Sequence, residues 1–183
     1  EDDTVPGLEQ GGDQQSSSQR EDGRKMVIFK TPGEFKTGLD AVFPDYFGIQ
    51  QALSHDRFKD AQDIAQKLLR SLPAVDGDLL KGQAYDAWVK EKQIMVVSAQ
   101  EITVAKDIDA ARAAFNLLSD SLYTVAKQFG TSGTQTILRF HCPMAGSGKG
   151  AYWLQNKPGA ENPYYGSAMF TCGDQVETVA TAQ

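Results

Sequence analysis

Apolar residues recur at helical spacing through most of the chain. Phe35, Leu39, Val42, Phe43, Tyr46 and Phe47 open the pattern, and Ile49, Ala52 and Leu53 continue it. Pro44 falls inside this run. Proline is tolerated in a first turn but not in a helix interior, so the sequence predicts a kink or a fresh helix near Pro44. Ser54-His55-Asp56 reads as a break, with Asp56 the expected N-cap of the next helix. Phe58, Ala61, Ile64, Ala65, Leu68 and Leu69 then share one face, and the pattern stops near Pro73. Leu79 to about Ala105 is a longer, less regular helical stretch that holds Trp88, Met95 and Ile102. Within it Ile94-Met95-Val96-Val97 is apolar on all sides, which predicts burial or local irregularity. Asp107 caps the most regular segment, with Ile108, Ala111, Phe115, Leu118, Leu122, Val125 and Phe129 on one stripe and Gly130 as its stop. Four helices with short connections predict an antiparallel four-helix bundle.

The period changes after Thr131. Thr136 to His141 has strand character, Ala151-Tyr152-Trp153-Leu154 is a second strand candidate and Gln175 to Ala180 a weaker third. Turn signals lie between them at Gly146 to Gly150, Lys157-Pro158-Gly159 and Asn162-Pro163. Met26-Val27-Ile28-Phe29 reads either as a strand or as an anchored entry segment. The expected fold class is therefore mainly α, a four-helix bundle followed by a small loop-rich α+β cap with short strands. Residues 1–25 are rich in Gln, Ser, Gly and Asp and read as a disordered polar tail, because they hold too little apolar surface to offset the entropy of ordering. Residues 26–183 read as one domain, with the bundle in 26–130 and the cap in 131–183.

Charge narrows the function. The net charge is −6, and the tail, with seven acids and three bases, accounts for −4 of it, leaving the rest near −2. No basic stripe is present to displace counterions, which argues against a nucleic-acid partner. No apolar run approaches the length of a membrane span, so no transmembrane segment is expected. The chain opens Glu-Asp-Asp without an initiator Met, as a processed exported protein would. A periplasmic or otherwise exported location is the expectation, with the polar tail suited to tether the domain to a lipid anchor before Glu1.

Candidate chemistry sits in residues 139–173. Both cysteines (Cys142, Cys172), two of the four methionines (Met144, Met169), His141 and Trp153 fall there. In an extended 138–144 segment Cys142 and Met144 share a face and His141 points the other way, unless Pro143 twists the chain. Met169 and Cys172 are one tight turn apart. Two thiolates with two thioethers suit a soft, low-coordinate ion, above all Cu(I), and the imidazole of His141 adds or replaces a donor. Three other readings stand beside this one. Cys142 and Cys172 form a disulfide across a loop of about 30 residues, which would stabilise by roughly 3–4 kcal/mol. The methionines are core filler. The cysteines and His141 hold zinc, with His55 as the missing ligand. A phosphate loop at Gly146-Ser147-Gly148-Lys149-Gly150 is rejected, because Pro143 stands where its first glycine belongs and Gly150 replaces the magnesium-ligating Ser or Thr. A Cys142–His141 nucleophilic pair fails because adjacent strand residues face apart, so no catalytic residue is assigned and the chain reads as a non-enzyme. Trp88, Trp153, Tyr152, Tyr164 and Tyr165 read as packing, and Lys90-Glu91 as part of a solvated helix face.

Four motifs carry a family likeness: C-P-M-A at 142–145, G-A-Y-W-L at 150–154, N-P-Y-Y-G at 162–166 and M-F-T-C-G at 169–173. With Y-F-G-I-Q-Q-A-L at 46–53 and A-R-A-A-F-N-L-L-S at 111–119, they resemble a bacterial exported domain of unknown function. That domain occurs alone and at the C-terminus of CusB-type copper/silver efflux adaptors. The resemblance implies a role in heavy-metal handling, a copper efflux component as a partner, and Cys142, Met144, Met169 and Cys172 at the family's metal-site positions. The hairpin, lipoyl and barrel segments of a whole adaptor are missing from this sequence, which favours binding or delivery over direct transport. The competing reading is a protein-interaction module stapled by Cys142–Cys172.

Overall fold

A computed structural model describes residues 26–183, so the expected tail lies outside the described residues. Five α-helices come first: α1 Gly33–Asp40, α2 Phe43–Ser54, α3 Phe58–Ser71, α4 Gln83–Val104 and α5 Ile108–Phe129. Three strands follow, β1 Ile137–Cys142, β2 Ala151–Gln155 and β3 Asp174–Ala180. The protein is mainly helical, with a small antiparallel sheet at its C-terminal end.

Pro44 starts a new helix. α1 stops at Asp40 and α2 opens with Pro44 in its first turn, where the missing N–H has no intrahelical partner to lose. Asp107 accepts a hydrogen bond from the Ala110 amide at 2.8 Å and caps α5 as expected. Asp56 does not cap α3, a correction to the sequence reading. It adopts φ 57°, Arg57 takes the N-cap position, and the Asp56 carboxylate is engaged by the cap instead. Two readings within α4 are also corrected. Ile94 to Val97 is regular helix in which Met95 is buried while Val97 is exposed. Glu91 is buried rather than solvated, because its carboxylate accepts the Ser121 hydroxyl from α5 at 2.8 Å.

The core is continuous from helices to sheet. Phe35, Trp88 and Phe129 pack together, with Phe35 5.1 Å from Trp88 and 5.3 Å from Phe129. Phe29 stacks on Phe129 at 5.2 Å and its amide donates to Gln128 O at 2.8 Å, so the entry segment is anchored and is not a strand. Tyr46 joins the two parts. Ser119 spends its one hydroxyl proton on Phe115 O, so Tyr46 donates to Ser119 Oγ at 2.8 Å and accepts the β2 amide of Leu154 at 2.9 Å. Full burial pushes the Tyr46 phenol far above its usual range.

The sheet order is β2-β1-β3 with β1 central. Along β1, alternation puts Phe140 and Cys142 on one face and Arg139 and His141 on the other. Phe140 stacks on Trp153 at 5.4 Å, and the Arg139 guanidinium lies between the rings of Tyr123 and Tyr152, at 3.7 and 3.9 Å.

Candidate thiol and metal site

Cys142 ends β1 and is fully buried. Cys172 lies on the turn before β3, where its amide donates to Met169 O at 3.0 Å. His141 pairs with Asp174, which carries residue 172 alongside the end of β1. The two Sγ atoms, 30 positions apart in sequence, lie 2.9 Å from each other and both cysteines are free. The hydrogen bond to Cys142 is the chief reason that the Cys172 thiol is pushed up to about 11, since one sulfur holds the proton the other would lose. Cys172 lacks the electropositive surroundings of an activated nucleophile, because the charged group acting on it besides its partner is Asp174, an acid.

Asn162 sets the position of Cys172. It is fully buried, and its side chain donates to Cys172 O at 2.8 Å while accepting the amides of Tyr164 at 2.8 Å and Tyr165 at 3.3 Å. Its own amide donates to Phe170 O at 2.7 Å. One residue thus ties both ends of the 162–172 loop. Gly173, at φ 136°, closes the arrangement against the Trp153 ring, which a Cβ would meet at 2.5 Å.

A second set of contacts fixes this loop to the helices. Arg112 of α5 donates through Nε to Pro163 O at 2.8 Å, and through Nη2 to Leu53 O at 3.0 Å and Asp56 Oδ1 at 2.7 Å. Asp56 Oδ2 accepts the Ser167 amide at 3.0 Å. The Ser167 hydrogen bonds and then the guanidinium hold the Asp56 carboxyl down at about 2. Gly166 lies between them at φ 56°, where any Cβ would collide with Asp56 Oδ1 and Arg112 Nη2.

Of the five candidate ligands the fold brings the two cysteines together. Met144 lies just past the end of β1 and Met169 one turn before Cys172; they are 53% and 37% exposed, and so are not core filler. The Tyr165 hydroxyl fixes the Met144 backbone by donating to its carbonyl at 2.7 Å. His141 stands on the opposite face from Cys142, its ring 4.4 Å from that of Tyr152 and packed over Gly150. That removes it from the ligand set, a correction that follows from strand alternation without any twist at Pro143. The other histidine, His55, has its Nδ1 2.8 Å from Gln51 O and its ring packed on Phe170, which leaves Nε2 as its unengaged nitrogen. No group of three or more His, Cys, Asp or Glu able to hold a metal ion occurs among the described residues. The sequence marks Asp56 only as an N-cap, Asn162 only as a turn residue, and gives Arg112 and Gly166 no role of their own. The N-P-x-x-G spacing held the available signal, since a buried Asn before Pro can accept the following amides while Gly takes the left-handed φ.

Fold and site together define a helical scaffold bearing a cap in which two thiols meet. The chain belongs to the family described as Protein of unknown function (DUF3347), whose model matches residues 42–134. That stretch covers α2 to α5 and ends before β1, so the thiol pair lies outside it. No curated protein and no solved structure matches the chain.

Proposed function

We propose that this is an exported soft-metal-binding protein that sequesters Cu(I) or passes it to a copper efflux component, with Cys142, Cys172, Met144 and Met169 as its donors. The observation that carries the reading is the meeting of the two thiols at 2.9 Å, with an exposed thioether two residues after Cys142 and another three before Cys172. Sulfur donors of this kind select a soft monovalent ion over magnesium, calcium or manganese. The helical part, which we read as an antiparallel four-helix bundle, serves as the scaffold, and a tether before residue 26 would keep the domain near a membrane partner.

Binding requires the thiols to part. With metal–sulfur bonds of about 2.3 Å, two ligating sulfurs stand about 3.8 Å apart at a tetrahedral ion and about 4.6 Å apart at a linear one. Cys172, half-buried on a turn, is the one able to move; Cys142 is fixed in the strand. The test is an anaerobic Cu(I) titration of the reduced protein against a chromophoric chelator. The wild type should withdraw Cu(I) from the chelator and Cys142→Ser with Met169→Ala should not; unchanged competition would refute the assigned ligands.

The same 2.9 Å favours a second reading, in which Cys142 and Cys172 close a disulfide and the protein is an interaction module with no metal role. Thiol counting on protein prepared without reductant separates the two. Absent thiols, together with no Cu(I) uptake after reduction, would establish the module.

A further inference from the structure

We propose that a second site, a cleft between α5 and the cap, binds a free α-amino acid. The cleft encloses about 460 Å³, within the range of small-molecule sites. Asp109, Arg112 and Asn116, spaced at three and four residues, form one wall from a single face of α5. The turn at Gly146-Ser147 and the side chains of Tyr164 and Tyr165 form the other. Ser147 holds φ 59°, a left-handed conformation uncommon for a non-glycine residue.

Hydrogen-bond accounting gives the ligand its polarity. A guanidinium has five N–H donors. In Arg112 the one on Nε and the two on Nη2 are bonded to Pro163 O, Leu53 O and Asp56 Oδ1, which locks the plane of the group. The two on Nη1 remain, and the acceptor paired with them, Asp109 Oδ1, stands at 3.5 Å, too far for a good hydrogen bond. The Tyr164 hydroxyl, 3.3 Å from the Asn116 amide, gives its one proton to Tyr152 O, so it leaves the direction of that amide open. A rigid guanidinium with two donors left on Nη1, opening into a cleft, is a carboxylate receptor.

Asp109 decides between an anion and a zwitterion. Its carboxylate is 89% exposed and lines the same cleft. A simple anion on Arg112 would meet this negative charge, and a simple cation on Asp109 would meet the guanidinium. A molecule carrying carboxylate and ammonium on adjacent carbons satisfies both by lying alongside the pair, its carboxylate on Arg112 and its ammonium on Asp109. Ala113, Ala145 and Ala151 supply small apolar surface, which suits a short aliphatic side chain. This proposal is independent of the thiol chemistry.

The experiment is an NMR titration of ¹⁵N-labelled reduced protein with L-alanine, acetate and methylammonium at constant ionic strength. L-alanine at millimolar concentration should shift the amides of 109–116 and 146–151. Acetate and methylammonium should each bind at least about tenfold more weakly. Asp109→Asn should weaken L-alanine by about tenfold without weakening acetate. Ala113→Leu, at an exposed position, should fill the cleft and abolish the shifts. The proposal is overturned by no shift with L-alanine, by acetate binding as well as L-alanine, or by L-alanine binding that survives both Asp109→Asn and Ala113→Leu in folded protein.

Discussion

Replacing Asn162 by Ala tests whether one buried amide places the thiol. The substitution removes the donor to Cys172 O and the acceptor for the Tyr164 amide, both at 2.8 Å, along with the longer bond to the Tyr165 amide. The residue is fully buried, so the carbonyl and amide left behind are cut off from bulk water. Each unsatisfied group costs about 1–3 kcal/mol. A water entering the small polar cavity would recover part of that, leaving an expected loss of about 2–4 kcal/mol. That is a large share of a typical domain's stability and corresponds to a melting shift on the order of 10 °C. Urea denaturation should show a lower midpoint with an unchanged slope. The same variant should form the Cys142–Cys172 disulfide less completely in a glutathione redox buffer, because the 162–172 loop no longer presents Cys172 to Cys142. A stability loss under about 0.5 kcal/mol, the range of an ordinary surface substitution, would refute the assignment.

Two titrations follow from the same network. Asp56 is held at about 2 against an ordinary 3.8, so its folded form favours the carboxylate. The stability it contributes is complete above pH 3.8 and is lost as pH falls through 2; Asp56→Asn should remove that acid limb from a plot of stability against pH. Cys172 is shifted the other way, from 9.0 to about 11, so its contribution is complete below pH 9 and is lost as pH rises through 11. Iodoacetamide modification of Cys172, read by peptide mass spectrometry, should rise with a midpoint near 11 and move down towards 9 in Cys142→Ala. An unmoved midpoint would show that Cys142 is not the cause.

The helical half was the more legible part of the sequence because its signals are local. Periodicity found all the long helices, and Asp107 and Gly130 marked both ends of α5. The errors fell where a tertiary partner overrode a local preference. Asp56 has the chemistry of an N-cap, but Arg112 and the Ser167 amide, 56 and 111 positions away, take its carboxylate. Glu91 looks solvated until Ser121 of the next helix is known to face it. His141 is different: strand alternation turns it from Cys142, and that rule was already legible in the sequence.

Asymmetry between the cysteines links these points to function. Cys142 is locked in a central strand with Phe140 stacked on Trp153 beside it, whereas Cys172 depends on Asn162, Gly173 and a turn. The family match stops before either of them, so the helices alone do not imply the thiol chemistry. Besides the Tyr46 contacts, the Arg112–Asp56 latch connects the two parts by holding residues 163–167 against α5 and the turn after α2. The stiff sulfur sits at the end of the sheet and the adjustable one at the end of the latched loop. An ion, an oxidant or another thiol that approaches the pair must therefore act first on Cys172, and whatever loosens the latch will change the reactivity of Cys172 before it reaches Cys142.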